Sequence, residues 1–208
     1  MAARSALRPR KRPRQARSRA TVEAILEAAA RIFRQHGYAA GTTDRIAEKA
    51  GVSIGTLYQY FPNKDALLVA LAERHIDAGF ARVRELLDRS AAAELPLESL
   101  VRRFVEAMIA LHAHEPELHR VLFEEAPLPA SLRRSLRQRE LALAGEVRAV
   151  LEAQPGVCMG DPMVSAYVVV QTIEGLVHGF ILHPPAGIDA EALADEIVAM
   201  ICGYLAGG

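Results

Sequence analysis

Tryptophan is absent from this 208-residue chain, aromatics make up only 5%, and runs of β-branched residues are scarce, so a sheet has little to build on. The two cysteines, Cys158 and Cys202, lie far apart and are too few for a disulfide framework, which argues against a cross-linked secreted scaffold and fits a reducing compartment. The basic N-terminus is not followed by the apolar stretch of a secretory signal, so a cytoplasmic location is expected. A Gly-rich phosphate loop, a nucleophile motif and a recognisable pair of catalytic carboxylates are also missing. No enzymatic activity and no cofactor are expected.

What is present is helix-forming. Hydrophobic residues make up 51% and charged residues 24%, and Ala and Leu dominate, which favours an all-α chain. The zero net charge conceals an asymmetry: residues 1–62 hold 12 Lys and Arg against 4 Asp and Glu, +8, and the remainder holds 13 against 21, −8. The excess comes from Arg4, Arg8, Arg10, Lys11, Arg12, Arg14, Arg17 and Arg19, a stretch without an acid and broken by Pro9 and Pro13. Residues 1–17 therefore read as a disordered basic arm with a polyanion as its natural partner, or else as a solvated tail.

Apolar periodicity and local stop signals divide the rest into about nine helices. The first covers residues 18–36, with Val22, Ile25, Leu26, Ala29, Ile32 and Phe33 on one face and Gly37 as its stop. A second, capped by Thr42 or Thr43, ends at Gly51, and a very short third runs from a Ser53 cap to Tyr60. After Pro62, Asn63 caps a long fourth helix reaching about residue 89, in which Gly79 is a point of weakness. Five more follow at about residues 96–114, from Pro116 to the prolines at 127 and 129, 131–154, 162–182 and 189–205. The helix over 162–182 is apolar on nearly all sides and long enough to span a membrane, but Gln171, Glu174 and His178 lie within it. Burial against a second subunit is the expected explanation, with Gly175 and Gly179 permitting close approach, and no membrane partner is expected.

Two short helices joined by a tight turn make a helix-turn-helix. Residues 42–68, TTDRIAEKAGVSIGTLYQYFPNKDALL, resemble the DNA-binding signature of the tetracycline-repressor (TetR) family at Thr42, Ile46, Ala47, Ala50, Gly51, Val52, Ser53, Gly55, Thr56, Leu57, Tyr58, Tyr60, Phe61, Lys64 and Leu67. Phe33 and Gly37 of the first helix fit the same pattern. The chemistry is coherent without the family name. Gly55 removes bulk where backbone must approach a duplex, and Ser53, Thr56, Tyr58, Gln59 and Tyr60 offer short hydrogen-bonding groups. Ile54, Thr56 and Gln59 are expected to read base edges, while Thr42, Thr43 and Lys64, at helix N-termini, position phosphates; Arg17 and Arg19, at the end of the basic stretch, are further expected DNA contacts, with the arm reaching into the adjacent minor groove. Ile54 stands where the family often has Lys or a polar residue, so no base preference carries over.

The resemblance implies a three-part chain: the arm at 1–17, a DNA-binding domain at 18–64, and a sensing and dimerising domain at 65–208. It further implies a homodimer formed through the last two helices, a palindromic double-stranded operator, and a small apolar or aromatic effector that releases a repressor. A helix-turn-helix factor that works without a ligand is the alternative. Polar residues set in apolar helices mark a candidate pocket: His112, Tyr167, Gln171, Glu174 and His178, with Phe104, Met108 and Phe123 as walls. Each of the polar ones also reads as a satisfied core or interface group. His112, His114 and His119 invite a metal reading, yet the first two point to different sides of a helix and no metal site is expected.

Overall fold

The computed structural model describes residues 16–92, 95–126 and 128–207. Within them the chain forms nine α-helices and no strand: α1 (Ala16–Ala40), α2 (Thr43–Ala50), α3 (Ile54–Tyr60), α4 (Lys64–Ala92), α5 (Leu97–Ala113), α6 (Pro116–Arg120), α7 (Ala130–Glu152), α8 (Pro162–Leu182) and α9 (Ala190–Leu205). α6 continues directly into a wide π-helical turn, Val121–Glu125. The basic residues 1–15 lie outside the described part. Arg17 and Arg19, expected in or beside an arm, are exposed side chains in the first turns of α1, which begins two residues earlier than the apolar period indicates.

The helix ends follow local chemistry. Thr42, Ser53, Asp161 and Asp189 each accept a hydrogen bond from a backbone N–H two or three residues on, satisfying donors that have no partner inside the helix. Gly51 closes α2 with φ 67° and ψ 29°, its N–H donating to the carbonyls of Ala47 and Glu48. Gly37 behaves differently from the simple stop expected of it. With φ 71° and ψ 173° it kinks α1, and one more helical turn follows to Ala40. Gly79 does not break α4, whose 29 residues run through it; its missing Cβ leaves room for Leu111 Cδ2, which would stand 3.3 Å away.

The chain divides into two compact units, and the division departs from a boundary at residue 64. The first unit comprises residues up to Asp77 together with Glu117–Arg133; the second comprises Ala78–Pro116 and Arg134–Gly208. In the first unit Ile25, Phe33, Ile46, Leu57, Phe61, Leu67, Leu68 and Leu71 are essentially fully buried, and α1 packs on α2, α2 on α3, and the π-helical turn on α1. Each such side chain contributes about 1.5–3 kcal/mol of burial, which is how a seven-residue helix as short as α3 is held. In the second unit α5 packs against both α8 and α9, around a core that includes Val105, Val147, Ile173, Val177, Ile197 and Ile201.

Candidate nucleic-acid interface and the polar cluster of the second unit

Helix α3 is anchored from beneath and capped from its start. Leu57 and Phe61 have no exposed surface, and Ser53 Oγ accepts the Thr56 N–H at 3.0 Å and lies 2.8 Å from the Thr56 hydroxyl. The opposite side presents Ile54, Gly55, Tyr58 and Gln59 to solvent, with Thr56 half-buried. Tyr58 pairs its hydroxyl with that of Thr43 at 3.1 Å, which ties α3 to the start of α2. A Cβ built on Gly55 would meet only Ser53 Oγ, at 3.8 Å, so nothing inside the chain demands a glycine there.

Two expected DNA contacts sit differently from the rest. The ring of Tyr60 is buried and its hydroxyl stands 3.3 Å from Ser18 Oγ, because position 60 falls on the core side of α3, three residues beyond Leu57. Lys64 donates to the carbonyls of Tyr38 and Ala39 at 2.8 and 3.2 Å, and its ammonium lies 4.2 Å over the Tyr38 ring. Its charge thus compensates the carbonyl end of α1. Thr42 is exposed and spends its hydroxyl oxygen on the Arg45 N–H at 3.4 Å.

Sequence reasoning missed the network behind this face. The Tyr38 hydroxyl donates to Asp65 Oδ1, and burial followed by the Asp65 hydrogen bond and charge pushes the phenol well above its ordinary value. The Tyr38 N–H donates to Glu125 Oε2 at 3.2 Å, and Glu125 also pairs with Arg120. A residue 87 positions away thereby braces the end of α1, and no local pattern announces that pairing. Gly41 is a second omission: a Cβ there would come within 2.5 Å of the Phe33 ring.

The residues expected to line one pocket separate into three groups. Phe123 belongs to the first unit, its ring tilted against those of His119 and His75 at centroid distances of 4.6 and 6.0 Å, with His119 Nδ1 3.1 Å from His75 Nε2. Tyr167 is exposed on the outer side of α8 beside Val164 and Val168, away from the positions that α8 buries. The remainder come together in the second unit, where Phe104 and Met108 are half-buried against the core. Glu174 Oε1 stands 3.7 Å from His112 Nε2 and 3.8 Å from His178 Nδ1, and Gln171 Nε2 reaches Glu140 Oε2 at 3.5 Å.

The electrostatics of this cluster are coupled. Burial opposes the charge on Glu174, but the two imidazoles outweigh it and hold its carboxyl down to about 2. Burial likewise works against a charged His112, yet Glu174 and the Met108 carbonyl leave it raised. Glu140, unanticipated by the sequence reading, is pushed up by burial and by the charge of Glu174, with Gln171 and Arg137 pulling the other way. A separate open recess of about 330 Å³ is lined by Cys158, Gly160, Ser165, Tyr204 and Gly207, none of which was an expected pocket residue. Burial and Glu98 raise the Cys202 thiol, so nothing marks it as reactive.

A short capped helix carried on two others, with one polar face left open, defines a helix-turn-helix protein. Residues 25–71 match the profile of bacterial regulatory proteins of the tetR family, and residues 96–205 match that of the tetracyclin repressor-like C-terminal domain. The chain belongs to the tetR family of bacterial regulatory proteins. It is 36% identical over 100 residues to the transcriptional activator FasR of Mycolicibacterium smegmatis, a match covering 48% of this chain and 44% of that one. It is 34% identical over 94 residues to the transcriptional repressor KstR2 of Mycobacterium tuberculosis, covering 45% and 46%. The match thus spans about half the length of these curated relatives. Among solved structures, a tetR-family regulator from Mesorhizobium loti superposes with a TM-score of 0.71 at 18% identity over 92% of this chain and 98% of the other. The Bacillus subtilis regulator FadR, solved with stearoyl-CoA, gives 0.64 at 19% identity over 86% and 96%. At such identities the two structures speak for the fold.

Proposed function

We propose that this chain is a DNA-binding transcriptional regulator that acts as a homodimer on a palindromic operator and is released from it by a small effector. The carrying observation is the solvent face of α3, where Ile54, Tyr58 and Gln59 surround a glycine that the chain's own packing does not require. Gln59 is assigned to paired hydrogen bonds with adenine and Ile54 to a thymine methyl, with Thr56 and Tyr58 beside them. Thr42, Thr43, Ser53, Arg17 and Arg19 hold phosphates, Lys64 braces the end of α1 behind them, and Tyr60 supports the helix from below. In this reading the first unit binds DNA, the second senses and dimerises, and the protein works in the cytoplasm without catalysing a reaction.

The dimer contact is assigned to α8 and α9. Val164, Tyr167, Val168 and Leu176 of α8 and Met200 and Tyr204 of α9 are exposed, and Gly175, Gly179 and Gly203 have open space where a Cβ would stand. α8 is also long and apolar enough to cross a membrane by length and composition, but a second copy of the same face covers it while leaving Glu174 and His178 paired. The effector is assigned to the second unit, near the Glu174 cluster and the half-buried Phe104 and Met108. Linkage sets the mechanism: an effector that favours the DNA-incompetent arrangement lowers DNA affinity by the same factor. Selecting bound duplexes from a random pool with purified protein should recover a two-fold symmetric site, and a screen of apolar and aromatic compounds should find one that releases it. A pool without enrichment refutes the DNA reading; a symmetric site that no compound releases leaves the ligand-independent factor standing.

A further inference from the structure

We propose that His112, Glu174 and His178 form a divalent transition-metal site in the second unit, with zinc as the best-matched ion. Glu174 and His178 are four residues apart on α8 and so share one face, the spacing by which a helix offers two ligands to one ion. His112 arrives from α5, which packs on α8. The three contributing atoms converge: the carboxylate oxygen is 3.7 and 3.8 Å from the two ring nitrogens, and the histidines bring ring nitrogens within 4.8 Å of each other. Donors around a tetrahedral zinc with bonds of about 2.0–2.1 Å are spaced by roughly 3.4 Å. The two oxygen–nitrogen distances exceed that spacing by a few tenths of an ångström, and the ring nitrogens close by up to about 1.4 Å through side-chain rotation.

Two neighbours prepare the donors. His112 Nδ1 lies 2.8 Å from the Met108 carbonyl oxygen, which can only accept, so Nδ1 carries a proton and Nε2 is the nitrogen turned toward the carboxylate. Glu140, hydrogen-bonded by Gln171, adds a second carboxyl group to the surroundings. Two imidazoles and one carboxylate suit zinc among the ions of that class, and Glu174, at 36% exposure, leaves the fourth position accessible.

The inference concerns the second unit alone and stands or falls without DNA. Calorimetric titration of the full chain with Zn²⁺ should saturate at one ion per chain. Glu174→Gln and His178→Gln should each weaken it by at least about tenfold, while His114→Gln, at an exposed position, leaves it within about twofold. Zinc-edge X-ray absorption on the loaded unmodified chain, which needs no variant to fold, should show two imidazoles bound. Absence of saturable binding, an affinity unchanged in both variants, or fewer than two imidazoles overturns the site, and none of these outcomes bears on the operator selection.

Discussion

Helix α3 shows Ile54 and Tyr58 to solvent over seven residues, whereas α8 shows Val164, Tyr167, Val168 and Leu176 over 21. The apolar exposure is similar in kind, but its company differs. On α3 it alternates with Gly55, Thr56 and Gln59, and its base is fixed by a cap and two fully buried anchors. On α8 it runs beside glycines with open space and little hydrogen-bonding chemistry. Exposure alone therefore does not identify a partner. The density of donors and acceptors among the exposed groups separates the two: a wet, charged duplex calls for many, and the core of a protein interface carries fewer.

Four measurements break or sharpen that contrast, the largest effect first. Phe61→Ala removes a fully buried anchor of α3 and should lower stability by about 3–5 kcal/mol in urea titration, with DNA binding lost as the helix loosens. An unchanged midpoint would mean that α3 is held by something else. Leu176→Glu places a charge on the exposed face of α8 and should convert the proposed dimer to a folded monomer in sedimentation velocity; a dimer that persists would move the interface off that face. Gly55→Ala should divide the two properties of α3, raising stability by about 0.5–1 kcal/mol while DNA affinity falls about tenfold. Affinity that rises with stability would show that no duplex approaches there.

The smallest effect belongs to Glu140. Its folded-state pKa is raised, so the folded chain holds that proton more tightly than the unfolded one, and the contribution to stability is present in acid and lost as pH rises through the folded value. Glu140→Gln should accordingly raise the urea midpoint slightly at neutral pH, with the advantage vanishing below the ordinary glutamate range. A penalty at neutral pH would reverse the sign assigned to its surroundings.

Legibility in the sequence tracked the range of the forces involved. Helix limits at Gly51 and Asn63 were readable because caps and left-handed stops act over three or four residues. The α2–α3 pair was readable because the spacing from Thr42 to Leu67 belongs to a family signature. The placement of residues 117–133 in the first unit was not, since it depends on Glu125 meeting the Tyr38 N–H and on His119 meeting His75. The candidate zinc ligands show the same limit. His112, Glu174 and His178 were each noticed as polar residues in apolar helices, but the metal question was put to His112, His114 and His119, neighbours in sequence. The set that converges is chosen by the packing of α5 on α8. Tyr60 and Tyr167 were misjudged in orientation for a related reason: a tyrosine fits a core or a surface equally well, and only the face of the helix decides.

The kink at Gly37 carries a consequence for how this chain tolerates change. Its φ of 71° is strained for any other residue, and a Cβ there would also stand 3.0 Å from Glu125 Oε2. Those two penalties have unrelated origins. Shortening Glu125 would relieve the crowding and forfeit the brace on the Tyr38 N–H, yet the backbone strain would remain. A change at Glu125 alone therefore cannot suppress a side chain at position 37.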